Sequence, residues 1–287
     1  MQVQWSQILE YFMRQQLPDG GFPNQLGQPS DILTTCSVVK LLIEEGEGQK
    51  YRDQLKKALL NLYQAQMPNG KWGEGYKVWE TCITAKVLRA FQISGLEVTS
   101  DVFQKGFMWL QSKQKTNGAF AMNDYVFQPH LYATASALRL LSLLENSYQD
   151  SKTSALEWIA SVQKPDGGFS VSEEHPSDAC LTAYVLAGIL PYDNYMKSNL
   201  GQNAIEFLLN AQSSDGTWSS WFESGPSMEA TSSCLHVLAT AGSRGPMFQR
   251  GYGFLEQKLN LATWDSVPLW QLISVMYALT VQNRRNV

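Results

Sequence analysis

The chain has 287 residues, 44% of them hydrophobic and 17% charged, which supplies a sizeable core and excludes a disordered chain. Its 22 Lys and Arg against 26 Asp and Glu give a net charge of −4 with no long basic block, so neither a nucleic-acid footprint nor a polybasic membrane patch is expected. Met1-Gln2-Val3-Gln4-Trp5 lacks secretion-signal character, no apolar run is long enough to cross a bilayer, and four dispersed cysteines suit a reducing compartment; the expectation is a soluble, cytoplasmic protein.

The first amphipathic stretch carries Trp5, Ile8, Leu9 and Phe12 and runs into the turn Gln16-Leu17-Pro18-Asp19-Gly20-Gly21-Phe22. A polar loop and a more apolar segment, residues 33–43, follow. A second, charged stretch with Arg52, Asp53, Lys56 and Lys57 leads to Gln66-Met67-Pro68-Asn69-Gly70-Lys71-Trp72, then to an apolar segment over 81–91. The same succession continues through Gln114-Lys115-Thr116-Asn117-Gly118-Ala119-Phe120 and residues 134–144, and through Gln163-Lys164-Pro165-Asp166-Gly167-Gly168-Phe169 and residues 182–190. Gln212-Ser213-Ser214-Asp215-Gly216-Thr217-Trp218 precedes residues 231–241, and Gln257 with Trp264 forms a degenerate sixth copy. Successive glutamines stand 50, 48, 49 and 49 residues apart, a period that marks a repeat architecture. Each Asp-Gly or Asn-Gly is a turn signal, because glycine tolerates positive φ and Asn or Asp bonds to nearby backbone.

These elements predict six helix–loop–helix units, about twelve helices, with a charged outer and an apolar inner layer. The terminal units show no polar free face: Trp5, Ile8, Leu9 and Phe12 stand at one end and Leu269, Leu272, Ile273 and Met276 at the other. Ring closure would let those surfaces bury one another, whereas an open stack needs polar caps. The expected fold is an all-α (α/α)6 toroid, one domain over residues 1–287.

The five clear inner segments align on Thr35, Thr81, Thr134, Thr182 and Thr231. Four residues earlier stand Asp31, Lys77, His130, Asp178 and Ser227; two residues earlier stand Leu33, Trp79, Tyr132, Cys180 and Glu229. These positions ring one mouth, where parallel helix N-termini create a positive potential. One turn deeper, Val38, Thr84, Ala137, Val185 and Cys234 are expected to set the cavity's size, and Cys36 and Cys82 read as equivalent small packers. Trp72, Trp109, Trp158, Trp218 and Trp264 hold repeat positions and read as packing. Asp31, Asp178 and Ser227 have the ordinary reading of helix N-caps. His130 is a cap or a general acid–base, and Glu80 either pairs with Lys77 or serves as an acid.

The Gln-x-x-Asp-Gly-x-(Phe/Trp) turns resemble the Gln–Trp repeat of the α/α toroid shared by squalene–hopene-type terpenoid cyclases and the β subunits of protein prenyltransferases. The resemblance covers essentially the whole chain and implies a cavity that binds an apolar, isoprenoid-like small molecule, with chemistry at the inner-helix N-termini. Asp178-Ala179-Cys180 resembles the Asp-x-Cys zinc pair of the prenyltransferases, but the family's histidine position is Ala230, with Glu229, His175 or His130 as substitutes. Where that family grips a diphosphate with basic residues, this chain has Ser172 and His175. Cyclases of the squalene and copalyl type carry Asp-x-Asp-Asp-Thr; the nearest analogue is Ser227-Met228-Glu229-Ala230-Thr231. The resemblance therefore implies Glu229 and Asp178 as candidate acids, beside His130 and Glu80 from their own positions at the helix entries. Trp79, Tyr132, Trp221 and Trp270, with Asp31 and Lys77, are the expected substrate contacts. No cofactor is expected on the cyclase reading, and zinc on Asp178 and Cys180 on the transferase one. A non-catalytic toroid holding an apolar ligand is the third alternative. A homodimer or partner subunit would complete a site that lacks the cyclases' second helical domain.

Overall fold

The repeat pattern becomes paired helices in the computed structural model, which describes residues 5–73, 78–144, 147–220, 225–243, 245, 247–261 and 264–285. Outer and inner helices alternate: α1 (Trp5–Arg14) with α2 (Ile32–Glu44), α3 (Arg52–Gln64) with α4 (Glu80–Ile93), α5 (Asp101–Gln111) with α6 (Leu131–Leu141), and α7 (Gln149–Ser161) with α8 (Ala179–Ile189). A short α9 (Asp193–Lys197) precedes the pair α10 (Asn199–Asn210) and α11 (Met228–Thr240), and α12 (Phe248–Leu261) with α13 (Leu269–Arg285) completes the ring. Each inner helix packs against the next, and α13 packs back on α2. The toroid is closed. Among the described residues no helix is long and apolar enough to cross a membrane.

The repeat residues act as fasteners between units. Gln16 Nε2 donates to Gly20 O and to Gln54 O, both at 2.8 Å, tying its own turn to the next outer helix. Gln66, Gln114 and Gln163 reach Val102, Ser151 and Leu200 in the same way. The aromatic that ends each turn, Phe22, Trp72, Phe120, Phe169 or Trp218, is buried between the layers, where each side chain contributes about 1.5–3 kcal/mol. Its backbone N–H donates to a threonine of the inner helix: Phe22 to Thr35 at 2.9 Å, Trp72 to Thr84 at 3.0 Å, Phe120 to Thr134 at 2.9 Å, Phe169 to Thr182 at 2.9 Å and Trp218 to Thr231 at 3.1 Å.

Thr84, one helical turn beyond Thr81, is therefore the equivalent residue in the second unit. Thr81 instead donates its hydroxyl to Ala121 O at 2.7 Å. In the corrected register Glu80 matches Asp31 and Asp178, and Cys82 matches Cys180 rather than Cys36. Lys77, like Trp221, lies outside the described residues.

Two further expectations give way. Val38, Thr84, Ala137, Val185 and Cys234 are fully buried and do not line the lumen. The inner layer is not apolar throughout, because Lys40, Lys86, Arg89 and Arg139 lie on inner helices and line a cavity. An inner helix is enclosed by neighbours on its sides and back, but its fourth face meets a void that accommodates charged heads.

Candidate functional site

The inner helices surround a cavity of about 580 Å³, within the size range of small-molecule sites. Counted from the hydrogen-bonded threonines, three levels of side chain face it. Two residues before the threonine stand Leu33 of α2 and Glu229 of α11. Two residues after it stand Ser37, Lys86, Ser136, Tyr184 and Ser233, and five after it stand Lys40, Arg89, Arg139 and His236. Ser274 and Tyr277 of α13 occupy the same two deeper levels, and Trp270 the upper one. From the upper to the deepest level is seven residues, about 10 Å of helix.

The upper level and the mouth above it hold part of the predicted site. Trp79, Trp270, Asp31 and Glu229 line the cavity. Tyr132 lies beside them, its ring 5.3 Å from Trp79 and 4.8 Å from Tyr184, both edge-on. Tyr184 OH and Ser136 Oγ are 2.7 Å apart. Burial holds the Tyr132 phenol above its usual range, with Cys180, Asp178 and Glu229 adding to the shift. Asp178 is the N-cap of α8, accepting from Leu181 N at 2.7 Å. Asp31 caps α2, accepting from Thr34 N and Thr34 Oγ1 at 2.6 Å each. His130 caps α6, its Nδ1 accepting from Tyr132 N at 3.3 Å, and burial lowers its pKa. Ser227 caps α11 through Ala230 N.

Glu80 is placed away from the cavity. Its carboxylate meets Lys71 Nζ at 2.9 Å, Lys71 meets Asp124 at 2.6 Å, and Asp124 meets Lys113 at 2.5 Å. This network, buried at Glu80 and Lys71 and partly exposed at Asp124 and Lys113, joins the second turn to the loop after α5, and the lysine that pairs with Glu80 is Lys71 rather than Lys77. As for a metal, among the described residues no group of three or more His, Cys, Asp and Glu side chains is arranged to hold one. Asp178 is engaged in capping α8, and His175 Nδ1 lies 2.6 Å from Ser172 Oγ.

The deep level is the part that the sequence reading missed. Glu44 accepts Lys40 at 3.1 Å and Arg89 at 3.0 Å, and Lys40 Nζ lies 3.5 Å from the Tyr277 ring centroid. Burial, with Arg139 and Arg89 acting in the same direction, brings Lys40 down to about 7 despite the opposing pull of Glu44. Burial, then Lys40 and Arg139, take His236 down to about 4. Burial pushes the Glu44 carboxyl up, but Lys40 and Arg89 together outweigh it and hold the group below its usual value. The available signal was the recurrence of Lys40, Arg89, Arg139 and His236 five residues after Thr35, Thr84, Thr134 and Thr231.

A closed α/α toroid with an occupied rim and an open lumen defines a class, and the comparisons place the chain within it. The prenyltransferase alpha-alpha toroid domain family matches residues 2–81 and 81–270, and the chain belongs to that family. It is 26% identical over 201 residues to squalene–hopene cyclase of Alicyclobacillus acidocaldarius, covering 55% of this chain and 31% of that protein. It is 26% identical over 183 residues to lanosterol synthase of Aspergillus fumigatus, covering 58% and 23%. The chain thus spans a third or less of these curated relatives. The type II terpene cyclase MstE of Scytonema superposes with a TM-score of 0.74 over 98% of both chains at 14% identity, a likeness of fold. That cyclase has also been solved with geranylgeranyl dihydroxybenzoate as its substrate.

Proposed function

We propose that the chain is a terpene-cyclase-like enzyme that cyclises or isomerises an isoprenoid-bearing small molecule in the lumen, with Glu229 as the proton donor. The observation that carries this reading is the place of Glu229. Of the four candidate acids and bases, Asp178, Glu229, His130 and Glu80, it is the one that lines the cavity. Its carboxyl hydrogen would pass to an alkene carbon, leaving a carboxylate and a carbocation; loss of a different proton from the rearranged cation restores the acid and gives an isomer. The π faces of Trp79 and Trp270 suit such a cation. The prenylated acid bound by MstE supports that class of substrate as the first to try.

The test incubates the purified chain with geranylgeranyl dihydroxybenzoate and with geranylgeranyl diphosphate, and seeks isomeric products by chromatography and mass spectrometry. Glu229→Gln is expected to lose turnover by at least about 100-fold while still binding substrate. A wild-type chain that binds either compound without converting it refutes the enzyme. The basic lumen favours that second reading, a non-catalytic ligand-binding toroid, because Lys40, Lys86, Arg89 and Arg139 repel a carbocation.

A further inference from the structure

Lys40, Lys86, Arg89 and Arg139 converge on the two deeper levels of the cavity. Glu44 serves Lys40 and Arg89, whereas among the described residues Lys86 and Arg139 form no ion pair. The Lys86 ammonium lies 5.6 Å from the centroid of Tyr184, and Arg89 Nε is buried without a hydrogen-bond partner. Burial is the main cause that lowers the pKa of Lys40 and of Arg139, with the neighbouring cations acting in the same direction, while the Lys86 pKa is raised, Tyr184 and Cys82 outweighing its burial. The C-terminal dipoles of the inner helices offset part of the repulsion among these cations, but at about 0.3–1 kcal/mol per charge they do not balance four cations around one void. The deep part of the cavity is thus lined by more positive than negative charge.

We infer that this basic level is an anion-binding site, which holds a phosphate- or carboxylate-type oxyanion between Arg139, Arg89, Lys86 and Lys40. The planar guanidinium forks match the paired oxygens of such a group, and the ammonium groups supply further charge. The inference rests on the reading of the lumen as the ligand site but not on Glu229 as its acid. Because Glu229 stands about 10 Å above Lys40, Arg89 and Arg139 and about 6 Å above Lys86 along the helices, the ligand implied carries its anionic head deep and its isoprenoid part toward Glu229, Trp79 and Trp270.

The test titrates the purified chain with inorganic diphosphate and, separately, with benzoate at constant ionic strength, reading binding by calorimetry and Tm by thermal unfolding. At least one oxyanion is expected to bind one per chain and raise Tm, the tighter of the two identifying a phosphate or a carboxylate site. Arg139→Gln and Lys86→Met should each weaken binding at least about tenfold, while the Tm of the empty variants holds or rises as repulsion is relieved. Two results overturn the site: no binding by either anion up to about 10 mM, or binding that survives both substitutions. A lower Tm in the empty variants with affinity unchanged would mark the cations as purely structural and overturns it as well. Glu229→Gln should keep the anion affinity, so lost turnover in that variant bears only on the proton donor, and lost anion binding in the basic variants only on this site.

Discussion

Lys40 Nζ and Glu44 Oε2 lie 3.1 Å apart on successive turns of α2, and the same carboxylate is shared with Arg89. One anion therefore serves two cations.

The burial of Lys40, with Arg139 and Arg89 acting in the same direction, sets a pH dependence of stability. Folded Lys40 titrates near 7 where its ordinary value is 10.5, so between these values the unfolded chain binds more protons and stability rises with pH. His236, lowered from 6.5 to about 4, acts in the same direction at lower pH, with stability lost as pH falls below 6.5. The buried thiols act oppositely: Cys82 is raised by burial from 9.0 to about 11, and Cys36 and Cys234 are raised as well, so their stabilisation is present below 9 and lost above it. Urea midpoints should climb from about pH 7 to 9, by up to about 1.4 kcal/mol per pH unit, and then fall. Lys40→Met should flatten the climb, and a wild-type profile already flat there would show that Lys40 keeps its proton.

Glu80 separates structure from chemistry. Its side chain and that of Lys71 are 6% and 7% exposed, so Glu80→Gln leaves a buried ammonium with Asp124 as its remaining carboxylate. The expected loss is about 2–3 kcal/mol of stability, less than for an isolated buried pair because Asp124 stays. Turnover per folded molecule, measured well below Tm, should be unchanged. Lost turnover at unchanged stability would return Glu80 to the chemistry.

Gly118 tests the repeat turn itself. Its φ is +88°, and an added Cβ would sit 2.1 Å from Ser154 O, on the outer helix to which Gln114 is bonded. Gly118→Ala should therefore cost about 3 kcal/mol or more, combining strain with a backbone clash. Gly27, at φ +78° with nothing within 4 Å of its added Cβ, is the control, where alanine should cost about 1–2 kcal/mol. Equal effects in denaturant titrations would mean that the turn yields and that packing of neighbouring outer helices does not depend on it.

The toroid and the rim were legible in the sequence for a physical reason. Gln16, Gln66, Gln114 and Gln163 make the same paired hydrogen bonds in each unit, so a geometric requirement recurs as a residue type at fixed spacing. The caps Asp31, Asp178 and Ser227 were legible because a side-chain oxygen before an apolar run has one common use. The basic lumen was less legible because a few cations stand among long apolar runs, and the register of the second unit is ambiguous, since Thr81 and Thr84 lie one turn apart on the same helix. The turn aromatic and its threonine are 13, 12, 14, 13 and 13 residues apart in the five units, a spacing that selects Thr84 and puts Arg89 in line with Lys40, Arg139 and His236. Counted from Thr81, Lys86 takes the place of Arg89 in line with Lys40, Arg139 and His236, so a basic level recurs in either register.

Trp79 allows the two halves of the cavity to be tested apart. It lines the mouth of the cavity at the N-cap of α4, 39% exposed, with its ring edge-on to Tyr132 at 5.3 Å and to His130 at 6.3 Å. It precedes Lys86 by seven residues, about 10 Å along the barrel, so its ring is expected to meet the apolar part of a ligand and not the anionic head. Trp79→Ala should weaken binding of geranylgeranyl dihydroxybenzoate by about 1–3 kcal/mol through lost contact area, with inorganic diphosphate affinity unchanged in the same calorimetric titrations. Because the ring also supports Tyr132, far-ultraviolet circular dichroism and Tm should accompany the titration, and a native spectrum with selective loss of the prenylated ligand is the expected pair. Equal weakening of both ligands would mean that they share the upper level, which would move the anionic head up beside Glu229 and reverse the orientation inferred for the substrate.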